Sequence, residues 1–220
     1  LEQGRAATTQ LRDYLAELIQ RKRRQPTADM LSDLVRQRDA GELTDEDVIT
    51  FGLSMLVGGY RTSTMFIANA VLVLLTHPGE LAALRTDRGL PPCAVEELLR
   101  YLPVMNGSVV LLATEDIPLR GQSIRAGEAV LPVIAAANRD DSVFPDPDQL
   151  DLRRAPNPHL SFGRGAHNCV GIHLARVGLT VALTALLNRF PRLRLAVPEH
   201  ELPWEDDSPS KSPISLPVRW

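Results

Sequence analysis

The chain has 220 residues, a formal net charge of -3, 44% hydrophobic and 23% charged residues. This is ordinary globular composition, long enough to bury a core. Its weak acidity excludes a general electrostatic pull toward nucleic acid or an anionic membrane, so neither is an expected partner. Two cysteines cannot build a disulfide framework, which places the protein in a reducing compartment, the cytoplasm. No run of about 18 apolar residues occurs. "MFIANAVLVLLTHP" is broken by Asn69 and stopped by Pro78, so it reads as a buried helix. No signal peptide is visible, and the opening "LEQGRAATTQ", without an initiating Met, reads as that of a processed or truncated fragment.

Helices fill the first part of the chain. "LRDYLAELIQRKRR" repeats apolar positions at Leu11, Leu15, Leu18 and Ile19 and is ended by Gln25-Pro26. Its basic run, Arg21 to Arg24, reads as a solvated helix end where cations offset the dipole, or as a phosphate-binding patch. A short helix from Thr27 or Asp29 carries Met30, Leu31, Leu34 and Val35. A long one starts after Thr44, with acids in its first turn, and runs to about Thr76 with an interruption at Gly58-Gly59. "PGELAALRTD" and "PPCAVEELLRYLP" give two more helices, each opened by proline.

From Val104 to about Val133 short β-rich pieces take over: "GSVVLLATEDI", "IPLRGQSIRAGE" and "EAVLPVIAAAN". "RDDSVFPDPDQLDLRRAPNPH" is an ordered coil, and a last helix runs from about Gly171 to Arg189. Short strands in "LRLAV" and "SLPVRW" follow. The expected class is mainly α with a minor β part, in α+β style.

The chemistry sits in "HLSFGRGAHNCVGIHLAR". Gly163, Gly165 and Gly171 let the backbone turn tightly and approach a flat ligand. Cys169 falls at a helix start, where free N–H groups and the dipole favour a thiolate. Such a thiolate can ligate the iron of a haem, with His167 donating to an anionic group on the same ligand. Two other readings stay open. Cys169 can be a structural buried cysteine, or it can join His167 and His173 at a zinc site, although no fourth ligand sits nearby and zinc leaves the glycines unexplained.

"FGRGAHNCVG" resembles the haem-binding signature of the cytochrome P-450 family: Phe, two spaced Gly, His two before Cys and Gly two after. The resemblance implies haem b (iron protoporphyrin IX) with Cys169 as axial thiolate and only metal ligand. It implies Phe162 beside the sulfur, His167 on a propionate, and Gly163 and Gly171 against the cofactor. Glu97-x-x-Arg100 with Arg154 resembles the family's Glu-Arg-Arg core triad; taken alone, Glu97 and Arg100 are a common helix pair. The likeness extends from the family's G helix to the C-terminus. It implies a single partial domain, residues 1–220: the C-terminal haem-binding half of the P-450 fold. Chains of the family are roughly twice as long, and nothing here resembles their N-terminal half, which would be a further partner.

"MLVGGYRTST" occupies the place of the family's oxygen-activating helix. The likeness implies that Gly58 and Gly59 leave room above the haem and that Thr62 and Ser63 supply the alcohols. On sequence alone both alcohols can equally be solvent-facing or bonded back to the helix. Arg61 stands where the family has an acid. A guanidinium cannot shuttle protons near neutral pH, so it either points outward or binds a substrate carboxylate. Leu111 likewise replaces a residue that reaches a propionate.

The implied function is a haem-thiolate monooxygenase of the soluble bacterial type. It would insert one oxygen atom of dioxygen into a small organic substrate, with electrons from a ferredoxin-type donor. Two alternatives follow from the departures. One is a peroxygenase using hydrogen peroxide, with Arg61 holding an acidic substrate; the other is a haem-free relative that partners another enzyme.

Overall fold

A computed structural model describes residues 2–86, 90–104, 109–205 and 211–220. Two compact units divide the chain, residues 1–61 and residues 62–220.

The first unit holds α1 (Glu2–Arg24), α2 (Met30–Asp39) and the opening of α3 (Asp45–Thr76). α1 begins well before Leu11, where its apolar repeat starts. Residues 4–10 are exposed and carry no periodicity, so nothing in the pattern marks them as helical. Asp29 caps α2 by accepting the Ser32 N–H at 2.9 Å. Ile19, Val35 and Val48 form a small core with Leu31, Leu34 and Leu43 around it. Gly52 lets α3 approach Leu15 of α1, since a Cβ there would meet both methyls at 3.4 Å. Two members of the basic run tie α1 to α2 and its flanks. Lys22 pairs with Asp29, and Arg23 reaches Asp39 at 3.2 Å. Lys22 and Thr27 hold the Asp29 carboxyl well below the usual range.

α3 runs unbroken through Gly58-Gly59, against the interruption expected there. Each glycine costs a helix about 1 kcal/mol, and long helical flanks absorb that.

In the second unit the end of α3 joins α4 (Pro78–Thr86), α5 (Pro92–Tyr101) and α7 (Ile172–Arg189). Their core takes Phe66, Ala70 and Leu74 from α3, Leu81 and Leu84 from α4, and Leu179 and Leu183 from α7. α5 contributes Ala94, Val95, Leu98 and Leu99. These positions make one apolar face of a helix opened by proline at N1.

The β-rich stretch is smaller than expected. Residues 105–108 at its start lie outside the described residues. β1 (Leu111–Leu112) pairs antiparallel with β4 (Ala129–Val130), and between them β2 (Ile117–Leu119) and β3 (Gln122–Ile124) form a hairpin. Arg120 (φ 45°) and Gly121 (φ 80°) make its two-residue turn, the left-handed pair whose twist suits a hairpin. "EAVLPVIAAAN" stops being strand after Val130. Pro132 cannot donate to a ladder, and Ile134–Ala137 closes into a helical turn, α6. After α7, β5 (Arg194–Leu195) pairs with β6 (Val218–Arg219). No single helix among the described residues is long and apolar enough to cross a membrane.

Candidate functional site

Two neighbouring acids of α5, Glu96 and Glu97, organise the second unit. Glu97 has no exposure, and its carboxylate is filled from several directions. Arg100 donates to both oxygens, at 2.7 and 2.8 Å, and Arg154 Nε lies 3.2 Å away. The Asp151 N–H and the Asn157 side-chain amide each reach it at 3.0 Å. Burial pushes this carboxyl up, but Arg100, the Asp151 N–H and Arg154 outweigh it and leave it lowered. Arg100 spends its remaining N–H groups on the carbonyls of Asn138 and Pro147, both at 2.8 Å, and Gln149 at 3.2 Å. Arg154 reaches the Pro145 carbonyl at 2.7 Å. Hydrogen bonds thus join fully buried Glu97 and Arg100 to half-buried Arg154, and this network holds the Pro- and Asp-rich coil expected from sequence to be ordered.

That coil leads into the glycine loop. Gly163 (φ 72°) and Gly165 (φ 92°) occupy left-handed backbone that a side chain would strain. The turn closes through Gly163 N–H on the Leu160 carbonyl and Cys169 N–H on the Phe162 carbonyl, both 2.8 Å. Cys169 is exposed. It precedes α7 and is not part of it: Gly171 is the N-cap, and the Cys169 carbonyl accepts the Ile172 N–H at 3.3 Å. Gly171 borders the sulfur, since a Cβ added there would lie 3.9 Å from Sγ. Phe162 is half-buried under the Arg176 guanidinium, 5.3 Å from the ring centroid. His167 is exposed.

Cys169 joins neither apolar core of the described residues. Zinc fails as well. Among the described residues no group of three or more His, Cys, Asp or Glu could hold a metal ion, and Cys169 shares no helix face with His173. What remains is a single soft ligand on a side-chain-poor loop. A lone thiolate is a donor that haem iron accepts from a protein, because the porphyrin supplies its remaining nitrogen ligands.

On α3, Gly58 and Gly59 face open space, since a Cβ at either meets nothing within 4 Å. Arg61 is exposed, while Thr62 and Ser63 are half-buried. Leu111 is 52% exposed in β1.

Residues 92–211 match the family model for Cytochrome P450, and that span takes in Glu97, Arg100, Arg154 and the whole cysteine loop. The chain belongs to the cytochrome P450 family. Nocardicin C N-oxygenase of Nocardia uniformis subsp. tsuyamanensis is 49% identical over 98% of the chain and 54% of its own length. Mycinamicin IV hydroxylase/epoxidase of Micromonospora griseorubida is 45% identical over all of the chain and 56% of its own. The crystal structure of the LnmA cytochrome P450 hydroxylase from the leinamycin biosynthetic pathway of Streptomyces atroolivaceus superposes with a TM-score of 0.91. It is 45% identical over the full chain and 57% of its own length. The chain thus spans about half the length of the P450 relatives it matches.

Some residues of this P450 site were not singled out from sequence. Glu96 accepts two hydrogen bonds from Arg176, both 2.7 Å, and one from His159 at 3.1 Å. Asn138, fully buried, accepts the Leu160 N–H at 2.8 Å and donates to Ser161 Oγ at 2.9 Å. The signals were available: a second acid on an apolar helix in "VEELLR", and the His and Arg that bound the cysteine stretch.

Proposed function

We propose that residues 1–220 form one partial domain, the haem-binding half of a bacterial haem-thiolate monooxygenase. The observation that carries this reading is an exposed Cys169 on a loop that is itself rigidly held. Glycines clear its approach, and buried ion pairs anchor the chain around it. Relatives with hydroxylase and oxygenase activity support the reaction class. A ferredoxin-type electron donor, a small organic substrate and a cytoplasmic location complete the proposal.

When bound, haem b supplies activation of dioxygen and transfer of one oxygen atom to substrate. Cys169 would hold the iron as thiolate. Its own N–H is committed to the Phe162 carbonyl, which fixes the backbone that carries the sulfur. His167 would donate to a propionate, a role Leu111 cannot share. Gly58 and Gly59 present no side chain and, as the family likeness implies, would leave room for dioxygen. Thr62 and Ser63 would hold protons at their hydroxyl oxygens. Arg61, permanently charged, cannot relay them.

The test is the absorption spectrum of the haem-loaded protein, reduced and treated with carbon monoxide. The parent and a Cys93→Ser variant should show the red-shifted Soret band of thiolate-ligated iron, and Cys169→Ser should lose it. Retention of that band in Cys169→Ser would overturn the assignment.

A further inference from the structure

Building on the haem-thiolate reading, we propose that Glu96, His159 and Arg176 form a second positioning device for the thiolate loop, distinct from the Glu97 network. Glu97 and its arginines grip carbonyls and N–H groups between Asn138 and Asn157, all ahead of the loop. Glu96 grips the loop's two flanks. His159 lies before it, and Arg176 lies after it in the first turns of α7.

The geometry gives each member a direction. Arg176 presents a two-pronged fork to Glu96, with Nε and one terminal nitrogen each 2.7 Å from a different oxygen. His159 Nδ1 accepts the Ser161 N–H at 3.2 Å. The proton therefore sits on Nε2, which donates to Glu96 at 3.1 Å. The same two side chains bear on Phe162. The Arg176 guanidinium lies 5.3 Å from its ring centroid, and the His159 ring lies 6.0 Å away, tilted. The Phe162 carbonyl in turn takes the Cys169 N–H at 2.8 Å. One carboxylate thereby closes the loop at both ends and fixes the residue to which the cysteine backbone is bonded. Glu96 retains 24% side-chain exposure and Arg176 37%, so the pair is no buried charge requiring compensation. Its value lies in geometry.

The experiment compares parent, Glu96→Gln, Arg176→Met and Arg176→Lys, with and without haem. Amide hydrogen exchange in the haem-free protein is read for residues 160–171 and separately for residues 94–101 of α5. A positioning role predicts exchange at least about tenfold faster in 160–171 for Glu96→Gln and Arg176→Met, with residues 94–101 within about twofold of parent. Arg176→Lys, which keeps the charge but not the fork, should fall between. In haem-loaded protein the same two variants should shift part of the carbon monoxide complex from the thiolate-type to the thiol-type band. Unchanged exchange in 160–171, or an equal rise in both segments, would overturn the proposal. Absence of the thiolate band from the parent would instead overturn the haem-thiolate reading, because the exchange result is obtained without haem.

Discussion

Arg100 holds Glu97 through two hydrogen bonds, at 2.7 and 2.8 Å, one helical turn apart on α5, and neither side chain has any exposure. Removing Arg100 leaves the buried Glu97 carboxylate only the longer ion pair to Arg154, and removing Glu97 leaves Arg100 charged with carbonyls alone to face it. Arg100→Met should therefore cost about 3–5 kcal/mol, a large part of a typical domain stability of about 5–15 kcal/mol. Combining it with Glu97→Leu removes both charges and should recover part of the loss. Denaturant unfolding of the three variants checks this; a single variant within about 0.5 kcal/mol of parent would mean the site is not closed to water.

The glycines of the loop are not equivalent. Gly163 and Gly165 sit at positive φ, whereas Gly171 has φ -83° and room for an ordinary Cβ contact with the sulfur. Alanine at 163 or 165 should cost about 1–2 kcal/mol, while Gly171→Ala should change stability by less than about 0.5 kcal/mol. Urea midpoints for the three alanine variants should separate into these two classes.

Acid should dismantle the Glu96 contacts. Burial alone would raise this carboxyl, but His159 and Arg176 reverse that and hold it at about 2, against an ordinary value of 4.5. A carboxyl lowered in the folded state contributes stability that is complete above 4.5 and is lost as pH falls through about 2. Glu97 is lowered too and adds in the same sense. Between pH 4.5 and 2, Glu96→Gln should therefore lose stability with a shallower slope than parent. Stepwise denaturant titrations across that window measure it, and equal slopes would remove Glu96 as a source.

Arg61 divides the monooxygenase reading from the peroxygenase one. Pointing outward, it predicts that Arg61→Glu leaves the Soret-shift affinities of a matched acid and ester equally changed or unchanged. A guanidinium that anchors a substrate carboxylate predicts loss of a charge-assisted hydrogen bond, about 1.5–3 kcal/mol. That weakens the acid by roughly tenfold or more and spares the ester.

Sequence patterns found the elements whose signal is local. Prolines marked the starts of α4 and α5, Asp29 the cap of α2, and glycine spacing the turn at Gly163. Misses arose where the deciding term was non-local or absent from the pattern. The start of α1 is exposed and aperiodic, and α3 keeps its register through two glycines because its flanks are long. Val133 to Ala137 looked β-like by composition, yet Pro132 ends the ladder. In the site, Glu97 with Arg100 was legible as a spacing of three. Glu96 was passed over because its partners lie far along the chain and no short motif joins them.

That separation orders events during synthesis. Glu96 and Glu97 leave the ribosome well before the groups that fill them, Arg154 standing 57 and Arg176 80 residues further on. At about 5–20 residues per second the longer interval lasts on the order of 4–16 s. Until Arg154 is made, only Arg100 faces the buried Glu97 carboxylate, and until Arg176 is made Glu96 has His159 at most. The Glu97 network can therefore close before the cysteine stretch is made, whereas the two-ended grip of Glu96 waits on translation through that stretch to Arg176.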